Sequence, residues 1–466
     1  MLSLLSSGSN AQGQLGNSSI YDSHIFTSSL FFGQPSHSLP SGTLRVIDIA
    51  TGANHTLVLL ELTDGKREIW GCGDGRKGQL GLDYQKGVLG GFSPTVFRKI
   101  HLGLGESGLE DYTFKFIAAT WETSYIVLSC EEKPDVVLSM GSNDYGDLGV
   151  GGSKHSPKDF HIVRFDHLAP TSEGWKVQFI SSGQRHVVLH VKKSNDDSIL
   201  VGWGTSRHGQ LGNPSNTPFS SNPCIISHQN EPPIETLVSS LGIHHTIFLH
   251  ASGQISGLGS NRKGQLQVVK NPDLGHITSV GCTWNGTYVV VEDRGTPIIY
   301  SSGSNSHHQL GRQNGGSEAV AVVEFPESLR SQSPFLEIAC GSEHILTLVS
   351  HGNSKNSEQV WGWGWNEHGN LGLGHTVDVP TPVRLWPTSY PDESVSSIQG
   401  IWAGLGTSWI CADIKESSRQ NWFRILPGVF ALRTLVCDKR LVPFLCKNIF
   451  NICNFGRSRL LFTSRR

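Results

Sequence analysis

Four histidines sit at matched positions in this sequence: His55, His186, His244 and His344. Three close an element of the form apolar-Ala/Ser-x-Gly-x-x-His: Ile49-Ala-Thr-Gly52-Ala-Asn-His55, Ile180-Ser-Ser-Gly183-Gln-Arg-His186 and Ile338-Ala-Cys-Gly341-Ser-Glu-His344. The fourth, Val238-Ser-Ser-Leu-Gly-Ile-His244, reads with its glycine displaced by one. Gathered imidazoles could ligate zinc or exchange protons in catalysis. Here each ring belongs to a separate unit, on equivalent strands, too far from the others to share an ion. The expected role is therefore structural, as donors to backbone carbonyls of a neighbouring unit.

Other chemistry is poorly supported. His244-His245 and His307-His308 are neighbours that face opposite sides of a strand, so neither pair chelates by itself. Gly103-Leu-Gly105-Glu-Ser-Gly108 matches a dinucleotide fingerprint in letters only, without the strand and helix that must flank one. The nine cysteines are scattered with no Cys-x-x-Cys, which suggests reduced thiols rather than a zinc ribbon or a disulfide framework. P-loop, Gly-x-Ser-x-Gly and His-Glu-x-x-His patterns are missing, so no catalytic, cofactor-binding or metal-binding residue is nominated. The expectation is a protein that is not an enzyme and needs no cofactor.

One cluster stands out for recognition instead: Trp361-Gly-Trp363-Gly-Trp365-Asn-Glu367-His368. Alternate tryptophans can pack between structural layers, or can expose an aromatic anchor for a partner. Both readings stand at this point, and Trp363, Trp365, Glu367 and His368 are candidate contact residues. Arg207 and His208 occupy the equivalent turn of another unit, as do Arg76-Lys77, Asp144-Tyr145 and Arg262-Lys263. Turns at equivalent positions fall on one face, so together they form a candidate partner-binding surface.

The elements that position these residues are internal repeats. A short apolar strand is followed by Gly-x-Asn or a variant, then by Gly-Gln-Leu-Gly or a variant. The first glycines are Gly8, Gly73, Gly141, Gly204, Gly259, Gly303 and Gly364, spaced by 44 to 68 residues. The Gly-x-x-His element alternates with it seven times. Thr123, Gly286 and Thr407 stand in the histidine slot of the remaining three units. Glycine is abundant at 54 residues and charged residues are only 16%, a balance that favours short strands and tight turns over long helices. A lone four-stranded unit cannot bury both faces, whereas radial stacking buries them and closes a ring. The expected fold is all-β, a seven-bladed propeller over residues 1–414, followed by a non-repeat tail over 415–466.

Charge is split between those two parts. The tail holds eleven Lys/Arg and two Asp/Glu, leaving residues 1–414 with 26 basic and 37 acidic residues, a formal −11. Such a body is a poor match for nucleic acid, and direct binding to it is not expected. The tail reads either as a basic amphipathic segment or as non-native read-through past Ser408-Trp-Ile-Cys-Ala412. Seven complete units without it favour the second. No apolar run is long enough to span a bilayer. The first residues are too short and uncharged for a secretory signal, so the Asn-x-Ser/Thr sites at Asn17, Asn54 and Asn285 are read as coincidental.

The paired elements resemble the regulator-of-chromosome-condensation repeat family over roughly residues 2–414. Within it the chain is most similar to the fungal α-tubulin-suppressor, or killer-toxin-insensitivity, propellers. The matching residues are Gly71-Cys-Gly-Asp74, Trp121-Glu-Thr123, Gly341-Ser-Glu-His344, Gly362-Trp-Gly-Trp-Asn-Glu-His-Gly369 and Thr407-Ser-Trp409-Ile. That resemblance implies a non-catalytic scaffold holding a small CSL-type zinc-finger electron carrier. The pair would support diphthamide synthesis and Elongator-dependent modification of wobble uridines in transfer RNA, in the cytoplasm with the nucleus as a second location. Guanine nucleotide exchange on a small GTPase is the alternative that the same family implies.

Overall fold

The structure, a computed structural model, describes residues 2–415 except 153–157, 169–173, 194–197, 213–217, 227–234, 272–273, 294–295, 314–319, 331–334, 351–357 and 389–394. Residues 1–416 form one compact unit, and the expected tail lies outside the described residues apart from Lys415. Seven antiparallel sheets are present. Blade 1 runs Thr43–Thr51, His55–Leu62, Arg67–Gly73 and Arg98–Lys99 from the inside outwards. Blades 2 to 6 repeat the order within residues 113–163, 176–225, 236–259, 277–322 and 335–386, with three strands in blade 4 among the described residues. Blade 7 is composite. Val395–Ala403 and Thr407–Ile414 supply its inner strands, and Leu2–Gly8 and Ser23–Ser28 its outer ones. Leu2 pairs with Asp413 and Gly8 with Thr407, so the two ends of the repeat region share one sheet and no blade edge is left open there.

Each letter of the repeat has a local cause. The side chain of the Gly-x-Asn asparagine accepts the backbone N–H of the leucine five residues on: Asn10 from Leu15 at 3.0 Å, Asn143 from Leu148 at 3.1 Å, Asn261 from Leu266 at 2.8 Å, Asn305 from Leu310 at 3.0 Å and Asn366 from Leu371 at 2.9 Å. The glutamine of Gly-Gln-Leu-Gly accepts the N–H two residues before it at Gln14, Gln79, Gln210, Gln265 and Gln309. These bonds close a compact turn that drives its leucine inward; Leu15, Leu80, Leu310 and Leu371 are completely buried. All seven first glycines have positive φ, from 92° to 121°. A Cβ on any of them would collide with the backbone carbonyl preceding the histidine slot, so only glycine fits.

The second element is equally local. The imidazole folds back over the glycine three residues earlier, where a Cβ on Gly52, Gly183, Gly242 or Gly341 would collide with the ring of His55, His186, His245 or His344. This corrects the fourth assignment. His245, not His244, fills the slot in blade 4, and Gly242 stands in the ordinary spacing. The adjacent histidines permitted a one-residue slip, which on a strand exchanges buried and outward side chains.

The bonding partner is corrected too. Each Nε2 meets a hydroxyl on the inner ladder of the next blade: Ser124 at 2.9 Å for His55, Thr246 at 3.1 Å for His186, Thr287 at 3.1 Å for His245 and Ser408 at 3.1 Å for His344. His344 also reaches a carbonyl, that of Thr407 at 3.2 Å, and His245 a backbone group of Gly286. Burial lowers the pKa of His55, His245 and His344 to about 4 and that of His186 to about 3, so all four are neutral near pH 7.

Blades without that histidine carry an aromatic residue two positions later: Tyr125 after Thr123, Tyr288 after Gly286 and Trp409 after Thr407. Tyr125 and Tyr288 donate to the carbonyls of Asp147 and Gln309 at 2.6 Å each. In the following blade a tryptophan packs edge-on against the tyrosine ring and donates to the same carbonyl. These are Trp203 at 2.9 Å and Trp363 at 2.9 Å.

Candidate functional site: the turn face

The inner strands of all seven blades line an axial channel of about 220 Å³, with Ala50, Ala118, Ser182, Cys340 and Ala403 among the small residues facing it. At the end carrying the repeat turns, Trp284 of blade 5 lines the channel and lies 6.4 Å, ring to ring, from Trp121 of blade 2. Around this end the turns form a continuous face.

The structure divides the tryptophan cluster. Trp363 is completely buried, packed edge-on against Tyr288 and Phe325, and so is withdrawn as a contact residue. The physical reason is its place on the third strand of blade 6, Glu358–Gly364, pointing into the gap with blade 5. Gly364, at φ 96°, then turns the chain, and Trp365 emerges half-buried on the turn face beside exposed Glu367 and half-buried His368.

Trp365 is the centre of an arc across blades 5, 6 and 7. His368 meets it edge-on at 5.3 Å and His307 of blade 5 at 6.2 Å, while its indole N–H donates to Glu367 at 3.3 Å. Two aspartates brace the arc from behind. His368 Nδ1 donates to Asp22 at 2.7 Å and His307 Nδ1 to Asp378 at 3.0 Å. Each aspartate also accepts the N–H of a repeat asparagine twelve residues earlier, Asn10 at 2.9 Å and Asn366 at 2.8 Å. The same asparagine side chains hold the carbonyls of Tyr21 and Val377 at 3.1 and 3.2 Å. Tyr21 is 78% exposed, Val377 68% and Ile20 53%, so well-anchored backbone presents apolar side chains to solvent beside the aromatic centre. Sequence reasoning missed His307, Asp22 and Asp378. The matched twelve-residue Asn-to-Asp spacing in units far apart was the available signal.

Arg207 and His208 lie elsewhere on this face, on blade 3. His208 packs against His244 of blade 4, the rings tilted with centroids 4.0 Å apart, so the displaced His244 belongs to the surface rather than to the inner ladder. Arg185 lies 3.8 Å over the ring of Tyr145. Among the described residues, no group of three His, Cys, Asp or Glu side chains is placed to hold a metal ion, and no helix is long and apolar enough to cross a membrane.

Ring, repeat and braced turn face together define a β-propeller of glycine-turn repeats. The family described as the Regulator of chromosome condensation (RCC1) repeat matches residues 298–348 and 357–404, and a second model of that repeat matches 46–79. The chain is similar to the secretion-regulating guanine nucleotide exchange factor of Mus musculus, 28% identical over 82% of this chain and 78% of the relative. An RCC1 repeat-containing protein of Schizosaccharomyces pombe is 25% identical over 87% of this chain and 98% of its own length. Among solved structures, human WBSCR16 superposes with a TM-score of 0.67 at 18% identity, covering 89% of this chain and 99% of that one. The chain is thus a seven-bladed propeller that carries RCC1 repeats at residues 46–79, 298–348 and 357–404.

Proposed function

We propose that this propeller is a protein-docking scaffold whose turn face holds a small CSL-type zinc-finger electron carrier. In that role it supports diphthamide synthesis and Elongator-dependent wobble-uridine modification, in the cytoplasm. The observation that carries the docking reading is the arc around Trp365. An aromatic residue fixed by two imidazoles, themselves hydrogen-bonded to partly exposed carboxylates, loses little entropy on contact and suits a hot spot. Exposed Tyr21, Ile20 and Val377 beside it supply apolar area. What supports the carrier as occupant is the resemblance of Gly341-Ser-Glu-His344, Gly362–Gly369 and Thr407-Ser-Trp409 to the fungal propellers.

A second reading, nucleotide exchange on a small GTPase, is favoured by the mouse relative, whose name describes such a factor over most of this chain's length. Affinity purification of the full chain from its native host, followed by mass spectrometry, separates the two. The small zinc-finger carrier is expected to co-purify and to stay bound when guanine nucleotide is added. Recovery of a small GTPase that leaves on adding nucleotide, with no carrier, would overturn the scaffold reading in favour of exchange.

A further inference from the structure

The turn face holds a second feature, distinct from the aromatic arc. His208 of blade 3 meets His244 of blade 4, the two imidazoles tilted by 42° with their centroids 4.0 Å apart, and Arg207, Arg262 and Lys263 stand on the same two turns. Arg207, Arg262 and Lys263 are exposed, and among the described residues no carboxylate forms an ion pair with any of them. The equivalent turn of blade 1 shows the contrast. There Arg76 is gripped by its own neighbour Asp74, through Nε at 2.9 Å and Nη2 at 2.8 Å.

The blade 3–4 cluster is therefore cationic without an internal counterion, inside a repeat region that is formally −11. The imidazoles respond to that field. Burial first, then Arg262 and Arg207, lowers the pKa of His208. Burial, then His208, lowers that of His244. The tilted imidazole pair thus stays neutral between flanking cations, a surface with two arginine forks and one ammonium around two aromatic rings.

We infer that the turns of blades 3 and 4 are a receptor for an acidic polypeptide segment of a protein partner, its carboxylates on Arg207, Arg262 and Lys263 and its stem across His208 and His244. Guanidinium forks match carboxylate geometry in two parallel bonds. A long phosphate polyanion would meet the surrounding negative body, which favours a short acidic peptide over nucleic acid. The inference rests on the docking reading for the use of this face, and names the chemistry of what one part of it takes.

The test is fluorescence anisotropy of a labelled oligo-glutamate peptide titrated with the full chain, beside a single-stranded oligonucleotide of equal formal charge. The triple variant Arg207→Gln/Arg262→Gln/Lys263→Gln alters only exposed side chains, and circular dichroism checks that it folds. The peptide is expected to bind in a salt-sensitive way, to bind more tightly than the oligonucleotide, and to lose about tenfold or more in affinity with the triple variant. Equal peptide affinity for wild type and variant, no peptide binding, or preference for the oligonucleotide would overturn it. Because the probe is not the zinc-finger carrier, the result is read independently. A chain that binds the peptide through these residues yet ignores the carrier refutes the choice of partner and leaves the acidic receptor standing.

Discussion

Trp363→Ala is expected to destabilise the propeller by about 3–5 kcal/mol, the range for emptying a large aromatic site in a core. Trp363 has no exposed surface, sits edge-on between Tyr288 and Phe325, and donates to the Gln309 carbonyl at 2.9 Å. Truncation would therefore open a cavity between blades 5 and 6 and also leave that carbonyl one donor short. Against a typical total of about 5–15 kcal/mol, the loss is large enough to lower the denaturation midpoint visibly. Trp365→Ala, two residues on, should leave the midpoint within about 0.5 kcal/mol of wild type, because its ring is half in solvent. Equilibrium denaturation followed by tryptophan fluorescence measures both. Equal effects at the two positions would contradict the division of the cluster into a packing residue and a surface residue.

Asp147→Gln should act in the opposite direction and depend on pH. Blade 2 has aspartate where five other blades have the turn-closing glutamine. Asp147 is 3% exposed, and its Oδ1 has no hydrogen-bond partner. Burial raises its pKa to about 7, with Arg185 offsetting only part of the effect. In the unfolded chain the group titrates near 3.8, so between these values the native state binds the extra proton. The penalty is thus absent below about pH 4, grows as pH rises, and is complete above about pH 7. Three pH units correspond to about 4 kcal/mol as an upper bound. The glutamine variant, which restores the acceptor used in the other turns, is expected to be more stable by about 2–4 kcal/mol at pH 8. Its advantage from charge should vanish near pH 4. Denaturant titrations at those two pH values decide it, and an advantage that does not change with pH would refute the burial argument.

The parts of the fold that were legible in the sequence are those whose chemistry is local. An asparagine bonding a leucine N–H five residues away, or an imidazole lying over a glycine three residues back, writes a fixed spacing into the chain. Five such asparagines and four such imidazoles, set in seven alternating units, therefore announced the ring. Interactions between blades write no such spacing. His55 and Ser124, or His186 and Thr246, are joined across separate repeats, and so the histidines' hydroxyl partners were mistaken for carbonyls. The slip from His245 to His244 came from two identical side chains side by side, which only strand register distinguishes. In the candidate site, Trp365, Glu367 and His368 were found because they sit in one turn. His307, Asp378 and Asp22 were not, since the ladder that braces the turn draws on blades 5, 6 and 7 and on loops 346 residues apart. Trp363 was misplaced because nothing in the letters Trp-Gly-Trp-Gly-Trp marks where the strand stops and Gly364 redirects the chain.

The central claim is that the arc around Trp365 is the docking centre. Its most direct test is calorimetric titration of the purified, zinc-loaded CSL-type carrier into the full chain, with wild type, Trp365→Ala and His368→Ala compared. Saturable one-to-one binding by wild type, weakened by about tenfold or more in each variant, is the predicted result. Undiminished affinity in both variants, or no binding by the wild-type chain, would contradict the account.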